Sequence, residues 1–345
     1  MNKKSGNTTI YDVAKAAKVS VSTVSKILNG SAYKFADNTR KQVLDIAKEL
    51  GYKKRQYNES GERKAVYNKI AVIFPDIINP YYASLVTGLE SSLRAGGMDM
   101  VFFNSHNNRF AEVKIADQLL ESDCIGLIIV SICDSYDHIK RLIDHGIKVV
   151  AFEQHVDLDC SKVGFNYSKG GFMAAEYLLQ KGYKKIGFIS SPMTRPSRKQ
   201  VFEGYKKALA RYNAALNEKY IKIAENEIQS TVEMYDYQNG INLVQELISQ
   251  GDLPDAIFCI NDITAIGAIK KLKDSGYRVP EDIGVIGFDN ICFSYMIAPA
   301  LTTIEQSTYE LGAMAAEILI GSINDQNRGN ISVVLEPKLI IRDSV

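Results

Sequence analysis

Side chains that carry catalysis or bind metals are scarce in this sequence. It holds four histidines and five cysteines in 345 residues. The cysteines (Cys124, Cys133, Cys160, Cys259 and Cys292) are far apart, with no CxxC and no zinc-ligand spacing. Four of them sit in or beside apolar runs, so they read as reduced, structural thiols of a cytosolic protein. His106, His138, His145 and His155 also lack ligand spacing and read as surface or loop residues. No metal and no other cofactor is expected. The sequence has no GxGxxG after a strand, no GxxxxGK followed by Ser or Thr, no HExxH and no GxSxG. These absences argue against an enzyme. No apolar run reaches the length of a membrane span, and MNKKSGNTTIYDV has no apolar core of a signal peptide. A cytoplasmic protein with no membrane partner is expected.

Net charge is nearly absent too: 41 Lys plus Arg face 40 Asp plus Glu. The distribution is lopsided. Residues 1–64 hold 14 basic and 6 acidic side chains, and the remainder holds 27 basic and 34 acidic. A basic head on an acidic body suits a polyanionic partner, with a solvated basic arm as the alternative on charge alone. The apolar share of 46% supports real cores, and the length suits two or three domains.

Within the head, VSVSTVSKILNG poses a choice. Val19 to Ser22 alternate like a strand, whereas Val21, Val24, Ile27 and Leu28 follow helical spacing. Ser20 is an N-cap candidate, and Asn29-Gly30 is a helix stop. The spacing therefore predicts a helix over 21–28, after a helix over 10–17 capped by Thr9. A third helix follows, capped by Asp37 or Asn38, with Val43, Leu44, Ala47 and Leu50 as its apolar face. Two short helices joined by a tight turn make a helix-turn-helix, whose second helix would enter a major groove.

From residue 68 the pattern changes. KIAVIFPD, MDMVFFN, IGLIIVS, KVVAFE, KKIGFIS, AIFCI and IGVIGFD are buried-strand runs alternating with helical segments. Such β-α alternation means parallel sheets with right-handed crossovers. Two blocks meeting near 163–166 predict two Rossmann-like lobes with a ligand cleft at the strand carboxyl ends.

In TTIYDVAKAAKVSVSTVSKILNG and TRKQVLDIAKELGY the chain resembles the LacI/GalR family of bacterial transcription regulators. The resemblance continues through FPDIINPYYASLVTGLE, AIFCINDITAIGAIKKLKDSGYRVPEDIGVIGFDN, PALTTIEQSTYELGAMAAEILI and LIIRDS. It implies a small all-α helix-turn-helix domain (1–58), a linker or hinge (59–66) and an α/β body (67–345). That body is of the periplasmic-binding-protein-like type. Lobe one would take about 67–165 and 296–327, and lobe two about 166–295 and 328–345. The function implied is a transcriptional repressor that binds operator DNA and answers to a sugar-like or nucleobase-like small-molecule effector. The chain ends soon after Arg342-Asp343-Ser344 without a heptad extension, so a homodimer on a near-palindromic operator is expected rather than a tetramer.

The resemblance also assigns residues. Val21, Ser22 and Lys26 occupy base-reading positions, with Lys26 suited to guanine O6 and N7. Thr9, Tyr11, Ser20, Thr23, Ser25 and Asn29 fall among the DNA-contacting positions. The linker departs from the family: Lys54-Arg55 replace Pro-Asn, Asn58-Glu59 replace Ala-Arg, and Gly61 stands where a leucine wedge belongs. Glycine cannot wedge a base step. Contact through Lys53, Lys54 and Arg55 to phosphates is therefore expected, and whether a hinge helix forms stays open.

For the effector cleft the resemblance points to Asp289, Asn261, Tyr81, Tyr82, Arg195, Ser197, Tyr235 and Asn166. Asp262 either joins them or caps the following helix. Val201 stands where the family has an arginine, and Asn166 where it has aspartate. Both changes argue against a standard pyranose mode. The competing readings are a solute-binding protein with no DNA role, an enzyme on an α/β fold, and a regulator controlled by a protein corepressor.

Overall fold

Three helices open the chain: α1 (Ile10–Ala17), α2 (Val21–Leu28) and α3 (Asp37–Glu49). The computed structural model describes residues 10–28, 35–50, 68–152, 157–226 and 234–345. The chain divides into one unit up to Tyr67 and another from Asn68. Helical spacing wins over alternation in 19–28 because it brings Val24 and Ile27 into one small core with Val13, Ala14, Ala17, Val43 and Ala47. Val21 and Leu28 lie half-buried at its edge. Ser20 Oγ accepts from the Thr23 N–H at 3.1 Å and meets Thr23 Oγ1 at 2.8 Å, which caps α2. A Ser20→Ala substitution is expected to cost about 1 kcal/mol in the opening free energy of α2. Amide exchange in the full-length protein measures this, and unchanged protection at Val24 would show that the cap is idle.

The third helix differs from expectation. Its N-cap position is Ala36, so neither Asp37 nor Asn38 takes that place. Leu44 and Leu50 are 45% and 39% exposed, and only Val43 and Ala47 of the expected stripe are buried. Three short helices enclose too little volume to cover a full stripe.

The second unit begins with β1 (Asn68–Phe74), α4 (Pro80–Ala95), β2 (Met98–Asn104), α5 (Arg109–Leu120), β3 (Cys124–Ile129), α6 (Asp137–Asp144), β4 (Lys148–Phe152) and β5 (Ser161–Phe165). Then come α7 (Tyr167–Gln180), β6 (Ile186–Ser190), α8 (Pro196–Arg211), β7 (Ile221–Ile223), α9 (Tyr235–Ser249), β8 (Ala256–Cys259), α10 (Asp262–Asp274) and β9 (Gly284–Ile286). The tail holds β10 (Thr303–Glu305), α11 (Thr308–Asn324), β11 (Ser332–Leu335) and β12 (Lys338–Ile340). Lobe one is a parallel sheet in the order β11-β5-β4-β3-β1-β2, and lobe two a parallel sheet in the order β7-β6-β8-β9. Continuous apolar runs such as Ile70–Phe74, fully buried, suit strands covered by helices on both faces.

α7 buries Ala174, Ala175 and Leu178, and α9 buries Leu243, Val244 and Leu247, at helical spacing. Glycines explain how they pack. Gly171 faces the Val201 backbone while Gly204 faces that of Ser168, and Gly240 faces Thr264 while Gly267 faces Tyr237. A Cβ at any of these positions would collide with backbone, so α7–α8 and α9–α10 approach too closely for larger residues.

The crossings also fall later than the resemblance implies. β10 pairs antiparallel with β12, and bridges join Thr302 to Ile286 and Glu305 to Asp289, so residues 296–305 stay with lobe two. β11 pairs with β5, so lobe one keeps the chain through Leu335. Strands of three or four residues carry too little pattern to show which sheet takes them. The terminal Arg342-Asp343-Ser344 locks lobe two. Ser344 Oγ donates to Val285 O at 2.6 Å and accepts from Thr302 N at 2.9 Å. Among the described residues no helix is long and apolar enough to cross a membrane.

Candidate functional site

A cavity of about 540 Å³ opens between the lobes. Its walls follow the carboxyl ends of strands in both sheets: Asp76 to Tyr82 after β1, Val130 to Asp134 after β3, Arg195 after β6, Asn261 after β8 and Phe288-Asp289 after β9. Parallel sheets place ligand clefts in this position.

Asp289 is the most constrained group there. Its φ is 126°, a region that L-residues avoid at a cost of about 1–3 kcal/mol. A hydrogen bond of 2.7 Å from its N–H to Ile304 O helps hold it. Gln306 Nε2 donates to Asp289 Oδ1 at 2.5 Å. Burial, with the charges of Asp262 and Asp236, pushes the Asp289 carboxyl well above the usual carboxylate range. Gln306 is itself 3% exposed, and its Oε1 meets no hydrogen-bond donor among the described residues. The cavity thus presents a carboxyl group that a buried amide holds in place.

A second polar group comes from lobe two. Asn261 caps α10 through Thr264 N at 2.8 Å and donates to Asp236 Oδ2 at 2.8 Å. Ser191 Oγ donates to the other Asp236 oxygen and receives Asn239 Nδ2 at 3.2 Å. Aromatic faces complete the walls. Tyr81 and Tyr82 meet edge to face at 5.1 Å, and Tyr167 stacks on Phe288 at 6.5 Å. Tyr82 doubles as lobe-one core against Phe74. Burial, with neighbouring Tyr167 and Asp289, pushes the Tyr81 hydroxyl well up. Arg195 spans the cleft, donating to Asn107 Oδ1 at 2.6 Å and to Tyr82 Oη at 3.3 Å. Asp76 lines the lobe-one side, and burial raises its carboxyl.

Of the expected effector residues, Tyr81, Tyr82, Arg195, Ser197, Tyr235, Asn261 and Asp289 line this one cavity. Tyr235 also donates to Asn226 O. Two do not line it. Asn166 caps α7 through Lys169 N at 3.1 Å and donates to Glu336 at 3.3 Å, which pins two of the crossings together. Asp262 is fully buried beneath the cavity and accepts from Ile291 N at 2.9 Å and from Ser294 Oγ and Thr303 Oγ1, each at 2.5 Å. It is not the cap of α10, since Asn261 is. Val201 is an apolar wall, and the guanidinium comes from Arg195 at the start of α8 instead. Asp76, Tyr167, Asp236, Phe288 and Gln306 also join the site, with no motif of their own to mark them. Gln306 lies inside the quoted PALTTIEQ, and Asp236 directly follows Tyr235.

Of the expected DNA contacts, α2 carries Val21, Ser22, Thr23, Ser25 and Lys26, with the Lys26 side chain exposed. Ser20 is exposed just ahead of it, and Tyr11 lies on α1. Thr9, Asn29, Lys53, Lys54, Arg55 and the linker lie outside the described residues, as do the side chains of Tyr11, Ser22 and Ser25. His138 corrects the surface reading, being 3% exposed against a buried Glu112. Its place in the first turn of α6, facing α5, buries it.

The profile of bacterial regulatory proteins of the lacI family matches residues 9–54, and that of the periplasmic binding protein-like domain matches residues 175–345. The catabolite control protein A of Priestia megaterium is 31% identical over 340 residues, covering 98% of this chain and 99% of its own. The HTH-type transcriptional repressor PurR of Mannheimia succiniciproducens is 31% identical over 342 residues, with 98% of each covered. Among solved structures, a LacI family transcriptional regulator from Enterococcus faecium with bound ribose is 26% identical. It covers 80% of this chain and 98% of its own, with a TM-score of 0.70. A complex of the transcriptional regulator CelR with cellobiose shares the fold, with a TM-score of 0.72 over 98% of this chain and 100% of its own at 24% identity.

Proposed function

Because the chain belongs to the lacI family of bacterial regulatory proteins, we propose that it represses transcription as a cytoplasmic homodimer on a near-palindromic operator, released or engaged by a polyhydroxylated, sugar-like effector in the cleft. It is a DNA-binding transcriptional regulator with a periplasmic-binding-protein-like body that takes a small molecule. The observation that carries the effector class is the Asp289 carboxyl, held by Gln306, beside aromatic faces. Hydroxyl groups donate to such a carboxyl, and the C–H faces of a sugar ring pack on the aromatics. Bound ribose in one relative and cellobiose in another agree with this class. A thermal-shift screen of sugars, sugar phosphates and nucleobases tests it. Stabilisation by nucleobases alone would overturn the sugar-like reading.

Coupling follows from the two lobes. Arg195 of lobe two already bonds Asn107 and Tyr82 of lobe one, so a ligand touching both walls biases their separation. Such an effector alters operator affinity only through its different affinities for the two arrangements.

For DNA, α2 is the proposed recognition helix, reading bases with Val21, Ser22 and Lys26 and anchored by Ser20, Thr23 and neighbouring positions. Binding of the full-length protein to operator and random DNA is expected to fall steeply with salt, since each neutralised phosphate releases a counterion. Lys26→Ala is expected to narrow the gap between the two DNAs by about 1–3 kcal/mol in gel shifts. Equal losses on both would make Lys26 a phosphate contact, and salt-insensitive binding would remove the DNA reading of the basic head.

A further inference from the structure

Outside the polar groups that face an effector, three donors converge where α5, the loop after β3 and α6 meet. Glu112 in the first turn of α5 is fully buried, and His138 in the first turn of α6 is 3% exposed. Cys133, in the loop between β3 and α6, lines the effector cavity. One ligand atom of each lies within 4.8 Å of the other two. Residues at 112, 133 and 138 match no compact ligand motif, so the sequence hides the cluster.

We propose that Glu112, Cys133 and His138 form a binding site for a divalent transition-metal cation, Zn²⁺ by the character of the donors. Thiolate, imidazole and carboxylate together suit zinc, and three protein ligands leave a fourth position for water or a bound molecule. Charge also fits. A carboxylate and a thiolate cancel the two positive charges, so the buried complex is neutral.

Without the cation the cluster is held by protons. His138 Nε2 lies 2.9 Å from Glu112 Oε1, and since a carboxylate only accepts, Nε2 carries the proton. The Cys133 thiol also interacts with that carboxylate, and its Sγ lies 3.7 Å from Arg109 O. Cation binding replaces both protons. The thiol proton leaves to solvent, the imidazole moves its proton from Nε2 to Nδ1, and Nε2 and Sγ become ligands. Glu112 keeps Ser131 Oγ at 2.5 Å and Ile132 N at 2.9 Å as the donors that orient it. Zinc ligand distances of about 2.0–2.3 Å put tetrahedral donors about 3.3–3.6 Å apart, so the His138–Glu112 contact opens by only a few tenths of an ångström. Because Cys133 and Ser131 line the cavity, the cation stiffens a wall of the effector site and turns its open position toward the bound molecule.

The test uses full-length protein and Co²⁺ as a spectroscopic substitute. One equivalent should produce a thiolate-to-cobalt charge-transfer band in the near ultraviolet, which Zn²⁺ then displaces. Cys133→Ser and His138→Gln should each weaken binding about 100-fold, at the upper end of what even an outer-shell loss costs. Cys292→Ser, which removes the exposed thiol of lobe two, should leave it unchanged. In the wild-type protein Zn²⁺ should shield Cys133 from alkylation and leave Cys292 reactive, a readout that does not depend on a variant folding. Failure to develop the band, a band that survives Cys133→Ser, or alkylation of Cys133 at the same rate with and without Zn²⁺ would overturn the site.

Discussion

An Asp262→Ala variant is expected to lose about 3 kcal/mol of stability in the body, whereas the same change at Asp289, which strands one buried donor instead of three, loses less. Both carboxylates follow a strand of lobe two, and Asp262 raises the Asp289 carboxyl. Their surroundings differ. Asp262 is fully buried and satisfies a backbone N–H and two hydroxyls, at Ile291, Ser294 and Thr303. Removing it strands three buried donors, each costing about 1–3 kcal/mol before the hydroxyls rotate to other partners. The relief of burying a carboxylate offsets part of that loss, since burial is the largest cause raising this group. Asp262→Asn keeps one acceptor oxygen and should lose less than half as much. Urea unfolding monitored through the body's tyrosines measures both, and an Asp262→Ala midpoint equal to wild type would deny the tie.

This pair shows where the sequence is legible. GFDN and IND place carboxylates at strand ends in the right sheet, because strand runs and their ends are written in apolar pattern. Which way each side chain turns is decided by partners distant in sequence, such as Thr303 for Asp262 and Gln306 for Asp289. Asn166 illustrates the same limit: a polar residue before a helix reads equally as a cap or a ligand, and Glu336, 170 positions away, settles its place. The α2 helix is fully readable because period and cap are local. The burial of His138 is not, since Glu112 reaches it only through the packing of α5 against α6.

At Asp289 the larger expected loss is in binding. Asp289→Ala should weaken the effector about 100- to 1,000-fold, since two hydroxyl bonds to a carboxylate are worth about 1.5–3 kcal/mol each and re-solvation returns part. Calorimetry with the molecule found by thermal shift measures it, and an unchanged affinity would remove Asp289 from the site. The proton adds a sign. The folded Asp289 carboxyl lies well above its ordinary value of 3.8. Its contribution to stability is therefore fully present below about pH 3.8 and lost as pH rises through the raised value. Asp289→Asn keeps an acceptor for Gln306 and removes that loss, so the unliganded variant should gain stability over wild type as pH rises. Effector affinity should run the opposite way. Hydroxyls donate to the ionised form, so binding by the wild type tightens over the same rise in pH, while the carboxamide of the Asp289→Asn variant leaves it flat. A strained, desolvated acid that destabilises the empty cleft and is relieved by its ligand predicts both slopes. Parallel slopes in wild type and variant would assign the pH dependence to Asp76 instead.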